Sequence, residues 1–444
     1  MLPSTTRGRM LRCLASTALG LSLAAQVPPA GAAGETCRGE AATVVGDPGE
    51  RLDGTTGPDV IVTNGATYTD AMAGDDVVCV TGGSVGHEDP VVDAGDGADV
   101  VDTTEASATR VHSYLGDGDD RFIGGRVADD VDAANAWSRP AARGHDTVST
   151  GGGADVVTTG GQRPEDADDI DLGPGRDEVS VQGVVDPEHP LLGGRGSDRI
   201  ELERRSLVSG LAIDNDAETA STDGRVVMRW DGFENFRISP TGPWTPPSFT
   251  GGPGAERVWS AIPLTSVELG DGDDAVELDL ERQRTVDHVT YAGGAGADSF
   301  VLHAAAGDSA RRVRLDLVTH RLRYTIHEAA AQARITGFER HRLSAKRLLV
   351  DGTPGPDRVE WTGCHGHIAG GAGDDILRAI DIDDVGCGYP VPDSDIPVRG
   401  GRGDDLLVGA FGWDVLLGGP GDDVARGGRG RDHCVAETVQ RCES

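Results

Sequence analysis

Aspartates follow glycines at a fixed distance, most regularly near the end of the sequence. Four nonapeptides run without a break from Gly400 to Val435 and read GGRGDDLLV, GAFGWDVLL, GGPGDDVAR and GGRGRDHCV. The sixth residue of each is an aspartate: Asp405, Asp414, Asp423 and Asp432. Glycine lets a backbone curl until its carbonyl oxygens face one point, and a short carboxylate can reach the same point. An all-oxygen cluster of this kind is what a calcium ion requires.

These nonapeptides resemble the RTX, or hemolysin-type, repeat, whose consensus is GGxGxDxUx with a large apolar residue at U. The resemblance implies an exported bacterial protein with a β-roll, in which two nonapeptides form one coil and Ca²⁺ lies between like turns of successive coils. Asp405 would share an ion with Asp423, and Asp414 with Asp432. Carbonyl oxygens of the first, third and fifth turn positions would complete each site. The implied site residues are Gly400, Arg402, Asp404, Asp405, Gly409, Asp414, Gly418, Asp423, Gly427 and Asp432, with Asp357 and Asp375 upstream.

A second interpretation of the same residues needs no metal. The aspartates would then hydrogen-bond main-chain N–H groups in a solenoid of glycine turns. The two interpretations differ in what happens without calcium. Stacked carboxylates repel one another, so a calcium site predicts a C-terminal segment that is loose until the ion binds.

The Gly-x-Asp core recurs upstream at wider and uneven spacing. The steps from Asp99 to Asp120 and from Asp155 to Asp177 are both longer than two nonapeptides, which is too long for a regular two-strand coil. The sequence therefore predicts an all-β fold, an irregular parallel β-helix that passes into a β-roll at the C-terminus. We expect the upstream copies to depend less on calcium, since several lack a partner exactly two nonapeptides away. An apolar residue two positions after the acid should point inward, as at Val148, Val157, Val179, Ile200, Leu407, Leu416 and Ala425.

Two stretches, 201–249 and 302–350, interrupt the repeat. Each contains a Gly-Phe-Glu element, at Gly232 and at Gly337, so the stretches are either a duplicated block or similar by chance. Alternating apolar residues predict two strands around a turn at Thr319-His320 in the second stretch. Basic residues gather there, and they form either an exposed strand face near acidic residues or a binding face for an acidic cell-envelope polysaccharide. They are Arg311, Arg312, Arg314, Arg321, Arg323, Arg340, Arg342, Lys346 and Arg347.

Composition limits the class of protein. Glycine accounts for 66 of the 444 residues and aromatic residues for only 4%, so a thin, repeated core is expected rather than a thick one. The net charge of −34 argues against nucleic acid as a partner and favours cations. The sequence offers no complete catalytic constellation, so we expect no enzyme activity. The rival is a polysaccharide lyase or hydrolase on a parallel β-helix, which needs acidic and basic residues in one groove.

The first residues and the cysteines indicate export. Arg7, Arg9 and Arg12 precede or border a short apolar stretch, and Ala30-Gly31-Ala32 is a plausible cleavage site, so residues 1–33 are expected to be a signal peptide of a secreted, extracellular protein. No later segment is apolar over the length that a membrane-spanning helix needs, so no membrane span is expected. Six cysteines remain, which allows 15 pairings. We expect Cys37–Cys79, Cys364–Cys387 and Cys434–Cys442, while the Cys364-His365-Gly366-His367 motif has a transition metal as its alternative.

The repeat pattern divides the mature chain into three parts. Residues 34–238 are expected to form a solenoid of degenerate repeats, residues 239–350 a second block with the basic strand pair, and residues 351–444 the β-roll. The proline-rich segment Ser239–Pro247 is the expected linker. Nearly the whole chain is repeat, so a structural or adhesive role outside the cell is the expected function.

Overall fold

The computed structural model describes residues 34–442, except 85, 135–143, 161–166, 184, 204–209, 240–244, 281–285, 305–311, 327–328 and 381–395. The expected signal peptide, most of the linker Ser239–Pro247, Arg311 and Cys387 lie wholly or mainly outside the described residues. All regular structure in the described part is β-strand, which confirms the all-β prediction. No helix in this part is long and apolar enough to cross a membrane.

The strands are short, and most span two to five residues. Before the first interrupting stretch they are β1 Thr36–Cys37, β2 Glu40–Ala41, β3 Val44–Val45, β4 Arg51–Asp53, β5 Val60–Val62, β6 Tyr68–Asp70, β7 Val77–Cys79, β8 Val91–Asp93, β9 Val100–Asp102, β10 Arg110–Tyr114, β11 Arg121–Ile123, β12 Ala128–Asp132, β13 Thr147–Ser149, β14 Val156–Thr159, β15 Asp169–Asp171, β16 Pro174–Gly175, β17 Glu178–Val181, β18 Leu191–Leu192, β19 Arg195–Gly196 and β20 Arg199–Leu202. The middle strands are β21 Ala212–Asp214, β22 Thr219–Thr222, β23 Arg225–Asp231, β24 Asn235–Ile238, β25 Ser248–Thr250, β26 Arg257–Ser260, β27 Ser266–Asp271, β28 Ala275–Asp279, β29 Val289–Ala295, β30 Ser299–His303, β31 Arg312–Asp316, β32 Arg321–Ile326, β33 Ala329–Thr336 and β34 Arg340–Asp351. The last strands are β35 Arg358–Ala372, β36 Ile376–Ala379, β37 Val398–Arg402, β38 Leu406–Val408, β39 Phe411–Gly412, β40 Val415–Leu417, β41 Val424–Arg426, β42 Arg429–Gly430, β43 His433–Val435 and β44 Thr438–Gln440.

Parallel pairing arranges most of these strands in two ladders, and the two long strands β34 and β35 each run through both. The pairs β1–β2, β16–β19 and β39–β42 form separate two-stranded sheets. The first ladder runs through β3, β5, β7, β9, β11, β13, β15 and β18, and later through β25, β27 and β29 to β37, β40 and β43. The second runs through β4, β6, β8, β10, β12, β14, β17, β20, β24, β26, β28, β30 and β34, and on through β35, β36, β38, β41 and β44. The molecule is therefore a parallel β-solenoid, as predicted.

The long upstream spacings do not widen the solenoid. Between Asp99 and Asp120 the extra residues lie in the turn from β9 to β10 and in the longer strand β10, and both flanking coils keep their two strands. Uneven spacing therefore reflects turn length rather than a further set of long strands, among the residues described. Both ladders also continue through residues 239 and 350, where the sequence suggested block boundaries.

The core is the narrow space between the two ladders. The predicted inward residue of each coil is at most 1% exposed at all seven positions named above. Because side chains alternate across a strand, one inward residue per short strand suffices to build a continuous apolar column. This explains how a chain with few aromatic residues forms a core.

The two interrupting stretches have the same architecture. In the first, β23, β22 and β21 pair antiparallel and enter the first ladder between β18 and β25. In the second, β33, β32 and β31 do the same between β29 and the second half of β34. The predicted strand pair around Thr319-His320 is confirmed by β31 and β32. The two Gly-Phe-Glu stretches are thus structurally equivalent, which favours a duplicated block over a chance likeness.

Glycine columns let the turns stack closely. Gly419 has a φ of 130°, and a Cβ there would overlap the carbonyl oxygen of Gly401 in the preceding coil. Gly116 occupies the same kind of position in the N-terminal part, with a φ of 102° and the Gly95 carbonyl against it. Only glycine fits such positions. The recurring glycines of the sequence therefore mark the places where the backbones of neighbouring coils touch.

Two of the three expected disulfides are present. Cys37 is bonded to Cys79 and Cys434 to Cys442. The bridges therefore lie near the two ends of the described solenoid, as expected. The third expected pair involves Cys387, outside the described residues.

Candidate functional site

The acids of successive turns form columns held by hydrogen bonds to the main chain. The backbone N–H of Asp405 donates to Oδ1 of Asp423, 2.9 Å away, and the N–H of Asp414 donates to Oδ1 of Asp432, 3.0 Å away. The column continues upstream, since the N–H of Asp375 donates to Oδ1 of Asp405 at 2.9 Å. Each acid therefore fixes the turn of the coil before it. These bonds to main-chain N–H groups are the ones that the metal-free interpretation predicts, and they stack the same acids that the calcium interpretation pairs.

Upstream acids stack in the same way, although several lack a partner exactly two nonapeptides away. The N–H of Asp99 donates to Oδ1 of Asp120 at 2.8 Å, and the N–H of Asp155 donates to Oδ1 of Asp177 at 2.8 Å. One column contains Asp59, Asp76, Asp99, Asp120, Asp146 and Asp168, and another contains Asp129, Asp155, Asp177, Asp198 and Glu234. Turn length absorbs the variation in spacing, so stacking does not require a step of two nonapeptides.

Sequence reasoning missed several members of these columns. Asp129, Asp168 and Glu437 lack the Gly-x-Asp core in the sequence before them, and Glu437 accepts the N–H of Asp423 at 2.9 Å. Glu234 and Glu339 are the acids of the two Gly-Phe-Glu elements and occupy aspartate positions. Their fixed place after a Gly-Phe pair was the signal that could have identified them.

The second carboxylate oxygen of most column acids has no hydrogen-bond partner. In the described residues this oxygen is buried at Asp76, Asp99, Asp120, Asp129, Asp155, Asp177, Asp198, Glu256, Asp274, Asp298, Asp375, Asp405, Asp423 and Asp432. A buried, unpartnered anionic oxygen is costly unless a proton or a cation neutralises it. Burial accordingly raises the pKa of Asp99, Asp120 and Asp375 to about 7, and that of Asp405 above its usual range. At neutral pH the negative charge of these buried carboxylates therefore has to be neutralised by a proton or a cation.

The expected carbonyl ligands already link neighbouring coils. Gly401 N–H donates to the Gly418 carbonyl at 2.8 Å, and Gly373 N–H donates to the Arg402 carbonyl at 2.7 Å. Asp404 accepts the N–H of Asp422 at 2.9 Å through Oδ1. A carbonyl oxygen has two lone pairs, so these bonds leave ligand capacity. Carboxylate and carbonyl oxygens are the ligands that a hard cation such as calcium takes.

Not every predicted site acid offers a free oxygen. Asp357 Oδ2 accepts the N–H of Thr353 at 2.6 Å, and Asp414 Oδ2 accepts the N–H of Ala410 at 3.0 Å. The predicted acids with an unpartnered second oxygen are Asp375, Asp405, Asp423 and Asp432. These four are the strongest candidates for cation binding.

The residue five positions before the acid distinguishes two kinds of turn. In the C-terminal nonapeptides it is Gly400, Gly409, Gly418 or Gly427, and the acid's Oδ2 lies where a Cβ would be, so we call these open turns. In much of the N-terminal part a buried side chain stands at this position, and we call these closed turns. The closed positions are Ala71, Ala94, Leu115, Thr150 and Leu172. In an open turn the carboxylate of the acid therefore takes the space that a buried side chain fills at the same position of a closed turn.

A groove lined by arginines crosses the outer face of the second ladder. It has a volume of about 620 Å³, and its lining includes Arg176, Arg199, Arg237, Arg257 and Trp259. The Arg237 guanidinium carbon lies 4.4 Å from the centre of the Trp259 ring, and its Nε lies 2.7 Å from Glu201 Oε1. Sequence analysis placed the basic face elsewhere, because these arginines come from separate coils and only the fold brings them together.

The basic residues of the second interrupting stretch are exposed strand positions, apart from the half-buried Lys346 and the undescribed Arg311. Arg314 pairs with Asp351 at 3.0 Å and Arg342 with Glu360 at 2.6 Å, so acids do balance part of this face. Arg312, Arg314 and Arg323 also border a second cavity of about 450 Å³. The Cys364-His367 motif forms no three-ligand cluster within the described residues, and His367 lies 3.2 Å from Asp351 Oδ1.

No protein-family model matches this sequence, and no curated protein matches it significantly. The fold itself defines the class as a two-ladder parallel β-solenoid with stacked acidic turns.

Proposed function

We propose that this protein is a secreted, calcium-binding β-solenoid of the RTX type with a structural or adhesive, non-catalytic role outside the cell. The observation that carries the proposal is the buried, unpartnered oxygen of the acids in the open turns. Asp405 and Asp423 stack in successive coils, and each has such an oxygen. Weak sites, with dissociation constants of about 10⁻⁴–10⁻³ M, suit a protein in calcium-rich surroundings.

The ion would supply the positive charge that the columns lack. Asp375, Asp405, Asp423 and Asp432 would provide carboxylate oxygen. Carbonyl oxygens of the open turns, such as those of Gly400 and Gly418, would complete the donor set. Binding to the folded state alone would then stabilise the C-terminal coils by mass action.

Thermal unfolding followed by circular dichroism tests the proposal on the whole chain. Calcium at millimolar concentration should raise the midpoint of unfolding, and a chelator should reverse the rise. Magnesium at the same concentration is the control, because its smaller shell and stricter geometry suit these sites poorly. Equal stability with calcium, magnesium and chelator would leave the metal-free glycine-turn solenoid as the better account.

The arginine groove supports a second candidate, binding of an acidic polysaccharide. Arg199 and Arg237 present guanidinium groups that suit uronate carboxylates, and the Trp259 ring offers an apolar face for a sugar. Glu178 and Glu201 lie beside these arginines, so the groove also has the mixed charges that the lyase or hydrolase alternative requires.

Affinity electrophoresis through gels containing polygalacturonate separates these possibilities. The chain should be retarded, and the Arg199→Ala/Arg237→Ala variant should migrate freely. Arg121→Ala, an exposed arginine of the first ladder, is the matched control and should remain retarded. Shortened or unsaturated sugar products that depend on Glu201 would favour the enzyme instead.

A further inference from the structure

Three side chains from successive coils meet on the solvent side of the first ladder. His145 lies two residues before β13, Asp169 begins β15, and His189 lies two residues before β18. Parallel pairing sets Thr147 opposite Asp169 and Asp171 opposite Leu192. The register of three coils therefore brings two imidazoles to one carboxylate.

The carboxylate of Asp169 lies between the two rings. Its Oδ1 is 2.6 Å from Nδ1 of His189, and its Oδ2 is 3.2 Å from Nε2 of His145. The ring centres of His145 and His189 are 4.8 Å apart, and the three ligand atoms all lie within 4.8 Å of one another. In the described residues this is the one cluster of three or more such side chains close enough to share an ion.

The other nitrogen of His145 is directed at the main chain. Its Nδ1 contacts the carbonyl oxygen of Ala167, so Nδ1 carries the proton and donates it there. In the neutral ring Nε2 then has its lone pair directed towards Asp169. Metal-binding histidines have this arrangement, in which a hydrogen bond from the second nitrogen fixes the ring and its tautomer. The backbone N–H of His145 donates to Asp119 Oδ1 at 3.0 Å, which holds the residue in place.

The donor set selects a different ion from that of the acidic columns. Two imidazole nitrogens and one carboxylate suit borderline metals such as zinc, whereas calcium takes oxygen ligands. The side chains of His145, Asp169 and His189 are 34%, 49% and 38% exposed. Water can therefore reach the cluster and fill a further coordination position.

We propose that His145, Asp169 and His189 form a surface site for one divalent transition metal ion, distinct from the calcium sites of the open turns. The inference does not depend on the proposed function, since the cluster shares no ligand with the columns.

Zinc titration by calorimetry tests the site. The chain is first stripped of metal and then saturated with calcium, so that zinc does not titrate the acidic columns. One zinc ion should bind per chain at this site. His145→Gln and His189→Gln should each weaken binding by more than the roughly 10–100-fold that loss of an outer partner of a metal ligand costs.

His112→Gln is the matched control. His112 forms a similar exposed pair, with its Nδ1 3.1 Å from Asp130 Oδ2, but the cluster of three does not include it. This variant should bind zinc like the unaltered chain. The proposal is wrong if His112→Gln weakens binding as much as His189→Gln does, or if the double variant of His145 and His189 binds zinc normally.

A measurement on the unaltered chain guards against variants that fold poorly. Diethyl pyrocarbonate modifies exposed imidazoles, and bound zinc should protect His145 and His189 but not His112, as read by mass spectrometry of the peptides. Equal modification of all three with and without zinc would contradict the proposal.

Discussion

The closed turns of the N-terminal part and the open turns of the C-terminal part share one hydrogen bond and differ at one residue. Asp120 and Asp423 both accept the N–H of the preceding acid through Oδ1. Five residues before Asp120 stands the buried Leu115, whereas Gly418 precedes Asp423. Coils therefore stack in the same way in both regions. The regions differ in the first residue of the turn, where glycine leaves space for the carboxylate and a larger side chain does not.

This difference assigns separate roles to acids that look alike in sequence. In a closed turn a buried side chain such as Leu115 or Thr150 fills the first position, and burial raises the pKa of the acid, as at Asp120. In an open turn glycine stands there, and Oδ2 of the acid lies where a Cβ would be. Calcium dependence should therefore follow the first residue of the turn, rather than the spacing between acids.

The largest loss of stability should come from disrupting the close stacking of glycines, which both regions share. Gly116→Ala and Gly419→Ala should each destabilise the chain by about 3 kcal/mol or more, because each adds a Cβ against a carbonyl of the neighbouring coil at a positive φ. Denaturant unfolding measures this. Gly57→Ala is the control, since nothing lies within 4 Å of its Cβ position. An unchanged denaturant midpoint for Gly116→Ala or Gly419→Ala would contradict the close stacking of glycines.

A second substitution, Gly418→Ala, tests the space for the carboxylate in an open turn. The Cβ of Gly418→Ala would overlap Oδ2, Cγ and Cβ of Asp423 and displace the carboxylate, without strain in φ. The variant should be less stable than the parent in chelator, because the bond from the N–H of Asp405 to Asp423 Oδ1 is disturbed, and it should also lose much of the stabilisation that calcium gives the parent. That stabilisation is about 2.7 kcal/mol at a hundred times the dissociation constant. Full calcium stabilisation of Gly418→Ala would remove the distinction between open and closed turns.

Burial of the column acids should appear in the pH dependence of the stability of the chain, and Asp120 is the acid to test. Burial raises the pKa of Asp120 from 3.8 to about 7, so the folded state binds an extra proton between these values. The free energy of unfolding of the metal-free chain should therefore fall as pH rises from about 4 to about 7. Asp120→Asn keeps the Oδ1 acceptor without the ionising group, and it should make this fall shallower. Asp99 still titrates with a pKa of about 7, so part of the slope should remain.

Urea unfolding at several pH values in chelator provides the measurement. Asp130→Asn serves as the control, because Asp130 is a half-exposed strand residue outside the columns. A slope that Asp120→Asn leaves unchanged would show that the column acids are ionised and neutralised in another way.

The fold could be predicted largely from the sequence, because glycine, acid and inward apolar residue sit at fixed offsets that dictate a turn and a short strand. The number of strands in a long coil could not be predicted, because the spacing between Asp99 and Asp120 does not show whether the extra residues form a strand or a turn. The columns were only partly predictable, because Glu234 and Glu437 depart from the aspartate pattern. The arginine groove and the His145 cluster were invisible, since coil register alone brings their residues together.

Calcium calorimetry on three chains tests the central claim most directly, namely that the open turns are the cation sites. The unaltered chain and Asp120→Asn should bind calcium with the same stoichiometry, at dissociation constants of about 10⁻⁴–10⁻³ M. Asp423→Asn should bind fewer calcium ions per chain, because it keeps the Oδ1 acceptor for the N–H of Asp405 but replaces the unpartnered oxygen with an amide. Normal binding by Asp423→Asn, or no binding by the unaltered chain, would contradict the account.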